Sequence, residues 1–469
     1  MSQEFTKSKS SQILANANLL KKYHANVVYD YTEYPTKGNW KESFGSQSYK
    51  EALCEWYPEN KNKPVLFYVH TPFCEQLCNF CLCSKEITKD YSKVKNYLYD
   101  YLAKEIDMLE DHMSKNNINF NFKEIYLGGG SPTYYKKEEF RYLIKRLRNL
   151  IDFNNLGDFT IEVDPRRVTE ETLLFYHEMG VNRLSFGIQD FDLNVQEEIN
   201  RIQPPELVEK LLTKKVRELF PVINFDLLIG LPKQTEKSME QTIKDTIKLA
   251  PTQLQTMYVH YKPNVRKYMI KMVRNEPMLD FFDRKAVFQK ASKQLMDSGY
   301  TRAGFESYAL PGDPLAKSIT DKKAVYNSLG TQKGEATNFI AVGSSAHGVL
   351  NDLFYWQNFY EPNLYREAID NGQFPIYRGI KMSKDDSIRR EVIRHIRTFF
   401  HVEFDFFEKK HNLNFKNYFE KELKNIKTFV NDGLVEVHEK NFVLTSLGEH
   451  FSPQVANIFD TYNDQEFYK

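Results

Sequence analysis

Cysteine is scarce in this 469-residue chain, and most of it lies in one place. Of the five cysteines, Cys74, Cys78, Cys81 and Cys83 fall within ten residues, and only Cys54 stands apart. A disulfide scaffold spreads its cysteines along the chain, so that architecture is excluded and a metal site is expected instead. Excess charge of either sign is missing as well: 64 Lys and Arg against 63 Asp and Glu leave a net charge of +1. That balance removes any general attraction to nucleic acid or to an anionic membrane, and no nucleic-acid partner is expected. Nothing approaches the ~18–20 consecutive apolar residues that a membrane span needs. The opening MSQEFTKSKSSQ has no apolar core of a secretory signal, which predicts a cytoplasmic protein. Internal repeats and long low-complexity tracts are also absent. What is present suits a sizeable core: 41% hydrophobic and 14% aromatic residues exclude global disorder. The length allows about three domains, or one large barrel with an appendage.

Residues 1–60 are polar, with a short helical pattern near Ile13–Tyr23, and are read as an N-terminal extension. Beyond them, β-rich runs alternate with helical stretches: PVLFYVH (64–70), KEIYLGG (123–129), FTIEVD (159–164), NRLSFGI (182–188), INFDLLI (223–229) and LQTMYVH (254–260). Val94, Leu98, Leu102, Ile106 and Leu109 recur at helical spacing between the first two. Strands separated by helices predict a parallel α/β sheet with right-handed crossovers, either doubly wound or an incomplete barrel. In both, chemistry collects at the C-terminal strand ends. The polar strings beginning at His70 and Gly128, and the residues Glu162, Gln189 and Asp226, lie at or near those ends. This catalytic unit and its extension are placed at 61–350. In 351–469 a helix near 416–431 precedes LVEVH and FVLTS, which flank EKN as a hairpin would. A small winged-helix-like domain, packed on the barrel rather than on DNA, is expected there.

Cys74, Cys78 and Cys81 have the spacing C-x3-C-x2-C directly after a strand. One loop can fold three thiolates around a [4Fe–4S] cube, leaving one of its irons open to another molecule. Structural zinc is the competing reading, but it usually takes two separated C-x2-C pairs. Cys83 is ambiguous: a fourth ligand would close the open iron, and otherwise it is a small buried thiol.

This motif resembles the radical S-adenosylmethionine (SAM) superfamily. YVHTPFCEQLCNFCLC, LGGGSPTY, IEVDPR, RLSFGIQDF, FDLLIGLPKQT, YRGIKMSKDDSIRREVI, DGLVEV and FDTY resemble, more narrowly, the oxygen-independent coproporphyrinogen III oxidase family, in order along nearly the whole chain. The resemblance implies an incomplete (β/α)6 barrel with an N-terminal helical extension and a small C-terminal domain. It implies a [4Fe–4S] cluster on Cys74, Cys78 and Cys81. It also implies SAM on the open iron, cleaved by one electron to a 5′-deoxyadenosyl radical. Tyr68, Gly129 and Glu162 then face the cluster-bound SAM. Phe80, Gly130, Ser131, Gln189, Arg201 and Asp226 face a second SAM, joined by Val259 and by the residue at position 347. Ser383-x-x-Asp386 reads as a cap opening a helix whose Arg389, Arg390 and Arg394 are candidates for substrate carboxylates, against the alternative of a solvated basic face.

Three departures bear on substrate. Val27-Val28-Tyr29-Asp30 replaces a Gly-Pro-Arg string, Glu306-Ser307-Tyr308-Ala309 lacks a histidine, and His347 stands where the family has an apolar residue. The leading expectation is an oxidoreductase of haem (porphyrin) biosynthesis that converts coproporphyrinogen III propionates to vinyl groups. The alternatives are a two-SAM radical C-methyltransferase or cyclopropanase acting on an aromatic or quinone-like substrate, and a haem chaperone-like carrier. A flavodoxin or ferredoxin-type electron donor and a monomeric state are expected.

Overall fold

Each of the six β-rich runs forms a strand. The computed structural model describes residues 18–19, 22–23, 31–273, 278–351 and 353–463. The helical pattern near Ile13–Tyr23 falls mostly outside these residues, and the Val27–Asp30 string wholly so. Strands β1 (Pro64–Thr71), β2 (Asn121–Gly129), β3 (Asp158–Val163), β4 (Arg183–Gln189), β5 (Val222–Ile229) and β6 (Gln253–Tyr258) pair in sequence order, all parallel. Both faces of such a sheet are covered, so β1 buries Val65, Leu66, Phe67 and Val69 without alternation.

Antiparallel strands extend the sheet at both ends. At one end β7 (Thr301–Ala303) and β8 (Ser307–Ala309) follow β6. At the other, β9 (Asn338–Val342) lies parallel to β1, and β10 (His347–Leu350), β11 (Phe354–Asn358) and β12 (Ile376–Lys381) continue outward. The spatial order of the twelve strands is β12-β11-β10-β9-β1-β2-β3-β4-β5-β6-β8-β7. The two edges do not pair with each other, which makes the barrel incomplete. Strands on both sides of residue 350 share this sheet, so it does not stop at the boundary read from the sequence.

The helical stretch after β1 runs from Tyr91 to Lys115 and buries Val94, Leu98, Leu102, Ile106 and Leu109. A wider π-type turn at Tyr97–Leu102 interrupts it. There the Tyr97 hydroxyl accepts from Ser344 N at 2.9 Å and donates to His70 O at 3.2 Å. The helix thus ties the end of β1 to the turn after β9.

The helix Lys384–Phe399 opens with the expected capping box: Ser383 Oγ accepts from Asp386 N, and Asp386 Oδ2 accepts from Ser383 N. Strands Val435–Val437 and Asn441–Leu444 form the expected hairpin, and His401–Glu403 adds a third strand. The helix read at 416–431 is divided into Phe415–Tyr418 and Glu420–Asn431. This region packs on the barrel: Lys285 Nζ donates to His450 O at 3.0 Å, and Arg302 pairs with Glu449. Among the described residues no helix is long and apolar enough to cross a membrane.

Candidate active site

The loop after β1 carries the four clustered cysteines. A two-residue strand, Phe73–Cys74, pairs with Glu86–Ile87 and closes the loop at its base. Asn79 N donates to Ile199 O at 3.0 Å, and its side-chain amide donates to Glu198 O at 2.9 Å, pinning the loop to the segment after β4. All four cysteines line a cavity of about 1150 Å³ that extends over the C-terminal strand ends.

Cations stand beside the sulfurs. Arg201 Nη1 lies 3.7 Å from Cys78 Sγ and Arg166 Nη2 lies 4.0 Å from it. The Cys83 thiol, hydrogen-bonded to Cys81, draws the Cys81 thiol down to about 5 against the opposing effect of burial, and nearby Lys85 lowers it further. The same contact pushes the Cys83 thiol upward. Three soft thiols on one loop, edged by guanidinium groups, suit the donor set of a [4Fe–4S] cluster.

Next to the cysteines, bare backbone replaces side chains. Gly130 N donates to Thr71 O at 2.7 Å, and a Cβ on Gly130 would stand 2.8 Å from Phe73 O. Only glycine lets this strand end press against the cysteine loop. Gly129 N donates to Glu162 Oε2 at 3.0 Å, and Ser131 Oγ shares a hydrogen bond with Thr133 Oγ1 at 2.9 Å.

Glu162 is pushed up to about 8, chiefly by burial and then by Asp226. Asp226 is raised by burial too, although Ser185 Oγ and Asn224 Nδ2 donate to it at 3.1 and 2.8 Å. Two desolvated acids in one cavity favour a cationic ligand, whose charge would offset their cost. Gln189 sits at an irregularity in the β4–β5 pairing with φ 70°. Arg201 Nη2 donates to Gly187 O at 2.7 Å, while its buried Nε has no hydrogen-bond partner among the described residues. Phe80 and Val259 add apolar wall, packed with Leu228 and Met257. Amides, acids, a guanidinium and exposed glycine backbone form a surface suited to a zwitterionic sulfonium such as SAM.

Five nominated residues do not line this cavity. Tyr68 stands behind it: its hydroxyl bonds His70 Nδ1 at 3.1 Å and its ring stacks on Tyr126. His347 lies behind Glu33 and Ser328, with Nε2 at 3.2 Å from Glu33 Oε1 and 3.0 Å from Ser328 Oγ. The three candidate arginines of the helix Lys384–Phe399 also stand outside the cavity lining. Arg389 is buried against Asp385 at 2.7 Å and Glu422 at 2.8 Å. Arg390 reaches the Met382 sulfur and the face of Tyr355, and Arg394 donates to Asn351 Oδ1 at 3.3 Å.

Residues that sequence reasoning passed over do reach the cavity: Glu33, Lys37, Arg284, Lys285 and Arg397. Arg397 shares its helix with the nominated arginines but faces Phe305 and Tyr326, and its Nη1 donates to Ser452 Oγ at 2.6 Å. Glu33 was within reach of sequence reading, since it lies inside the Tyr31-Thr32-Glu33-Tyr34-Pro35 string.

Comparison with known proteins agrees with this geometry. The family description "Radical SAM superfamily" matches residues 68–246, and "HemN C-terminal domain" matches residues 382–449. The oxygen-independent coproporphyrinogen III oxidase of Pseudomonas aeruginosa is 33% identical over 451 residues, covering 95% of this chain and 96% of its own. That of Escherichia coli K12 is 34% identical over 436 residues, with 93% of each chain covered. A solved structure of coproporphyrinogen III oxidase (HemN) from Escherichia coli superposes with a TM-score of 0.85 at 32% identity, covering 95% of this chain and 98% of that one.

Proposed function

Because this chain belongs to the oxygen-independent coproporphyrinogen III oxidase family of radical SAM enzymes, we propose that its cavity oxidatively decarboxylates the propionates of coproporphyrinogen III to vinyl groups. It is a radical SAM oxidoreductase that uses a [4Fe–4S] cluster and SAM. Each conversion of –CH2–CH2–COO⁻ to –CH=CH2 releases CO2, gives up one hydrogen atom and passes one electron to an acceptor. Two conversions per substrate give protoporphyrinogen IX.

Cys74, Cys78 and Cys81 would hold the cluster, which with SAM supplies the hydrogen-abstracting radical. The chain's own residues bind and orient. Gly129, Gly130 and Ser131 present backbone and hydroxyl groups to a zwitterion, and Glu162 and Asp226 offer acceptors to its cationic groups. Gln189 and Arg201 offer the amide and cation suited to a second SAM. The C-terminal residues His450, Pro453 and Gln454 wall the cavity, so substrate C–H bonds are held away from bulk water. A flavodoxin or ferredoxin-type donor, a monomeric state and a cytoplasmic location complete this reading.

One observation carries it. The cysteine loop, every nominated SAM residue except Tyr68 and His347, and a set of cations share one cavity of about 1150 Å³. Pockets for a single drug-sized ligand span roughly 300–1,000 Å³, so a tetrapyrrole beside SAM has room. The test is anaerobic reconstitution, incubation with coproporphyrinogen III, SAM and reductant, and mass spectrometry. Loss of two CO2 with 5′-deoxyadenosine as by-product is expected. Methyl gain with S-adenosylhomocysteine would replace this reading with C-methylation.

A further inference from the structure

Arg284 occupies the first turn of the helix Phe281–Asp297, which Asp280 caps by accepting from Asp283 N. Its side chain crosses the end of β5 at Gly230, where φ is +92° and any Cβ would collide with Arg284 Cδ. The missing side chain at 230 leaves room for the Arg284 stem, and both Arg284 and Val259 line the cavity. Several other cations of the cavity are already engaged, and Lys262 is exposed. Lys37 pairs with Glu33 at 3.0 Å, Lys85 donates to Cys81 O at 2.9 Å, and Arg166 pairs with Asp164 at 2.7 Å. Lys285 donates to His450 O and Arg397 to Ser452 Oγ. Among the described residues, the Arg284 guanidinium has no hydrogen bond or ion pair, and its Nε is shielded from solvent.

A second orphan stands beside it. The Tyr258 hydroxyl is likewise shielded and has no hydrogen-bond partner among the described residues, its residue lines the same cavity, and the two side chains interact electrostatically. A shielded hydroxyl beside a half-buried guanidinium calls for an anion that only accepts hydrogen bonds. A planar carboxylate matches the guanidinium fork.

We propose that Arg284, with Tyr258 beside it, binds a carboxylate of the ligand that fills the cavity. This rests on the functional reading above, under which two ligands bring carboxylates: the tetrapyrrole through its propionates and SAM through its methionyl end.

The test uses anaerobic, cluster-loaded full-length protein as wild type, Arg284→Gln, Arg284→Lys and Tyr258→Phe. Arg284→Gln keeps a side-chain stem over Gly230. Coproporphyrin III, the stable oxidised tetracarboxylate, and its tetramethyl ester are titrated by fluorescence. SAM and its methyl ester are measured by equilibrium dialysis. The expected result is that Arg284→Gln weakens one free acid about tenfold and leaves its ester unmoved, with Arg284→Lys recovering part of the loss. Weakened coproporphyrin III identifies a propionate, and weakened SAM identifies the methionyl carboxylate. The proposal is overturned if neither acid is weakened beyond about twofold, or if acid and ester weaken together. Wild-type protein that neither binds coproporphyrin III nor decarboxylates coproporphyrinogen III would refute the coproporphyrinogen reading instead, and the SAM arm would still decide the role of Arg284.

Discussion

The Arg201 guanidinium lies 3.7 Å from the sulfur of Cys78 and holds the Gly187 carbonyl oxygen at 2.7 Å. One side chain therefore places a fixed positive charge beside a proposed cluster ligand and ties it to the end of β4. Replacing Arg201 by Gln removes that charge and leaves all three thiols in place. Iron content after reconstitution is expected to stay at the wild-type level. The reduction midpoint should fall, because an added electron loses a favourable Coulomb partner worth on the order of 1 kcal/mol, or roughly 40 mV. An EPR-monitored redox titration measures it; an unchanged or higher midpoint would refute the coupling.

Gly130 leaves no room for a side chain against Phe73 O. Gly130→Ala must push the cysteine loop and the end of β2 apart. The cost is expected at about 1–3 kcal/mol, read as a lower Tm. SAM affinity, measured by dialysis, should drop in the same variant.

Glu162 titrates near 4.5 when unfolded and at about 8 in the fold. Between those values the folded protein keeps a proton that the unfolded chain has released. The favourable contribution is complete below about 4.5 and is lost as pH rises through about 8. Denaturant unfolding of ligand-free protein across this window should therefore show declining stability, and Glu162→Gln should flatten the decline. Bound SAM brings positive charge and favours the carboxylate, so its binding at pH 7 should release a proton. Calorimetry in buffers of different ionisation enthalpy would detect that release, and Glu162→Gln should abolish it.

Arg389 and Glu422 form a buried ion pair at 2.8 Å, away from the cavity. Arg389→Met strands the Glu422 carboxylate and should cost about 3–5 kcal/mol, seen as a lower denaturation midpoint. KM for the tetrapyrrole should not change at temperatures where the variant is folded. A raised KM with unaltered stability would restore the carboxylate role first read for this helix.

The cysteine loop and the strand ends were legible because a parallel βα array places its polar strings at one rim, and both the strings and the strands have period and composition signatures. Strands β9 to β12 were not, since three of them are antiparallel additions with no regular βα alternation to reveal them. The cations were harder still. Arg389 and Arg397 occupy one helix, yet one meets Glu422 and the other faces Phe305. Helical periodicity assigns such residues to faces, but what each face meets depends on how the C-terminal region docks. Arg284 gives no local signal at all, because its place depends on a glycine more than fifty positions earlier.

The pairing of β1 with β9 sets an order of events during synthesis. Pro64 O accepts from the Asn338 side chain 274 positions later, so the strand leading into the cysteine loop lacks its second neighbour until most of the polypeptide has left the ribosome. Such distant pairing is slow to form. A nascent chain therefore carries exposed thiols well before their finished surroundings exist. Iron delivered early would meet a half-built sheet, and delivery after release finds the loop already braced.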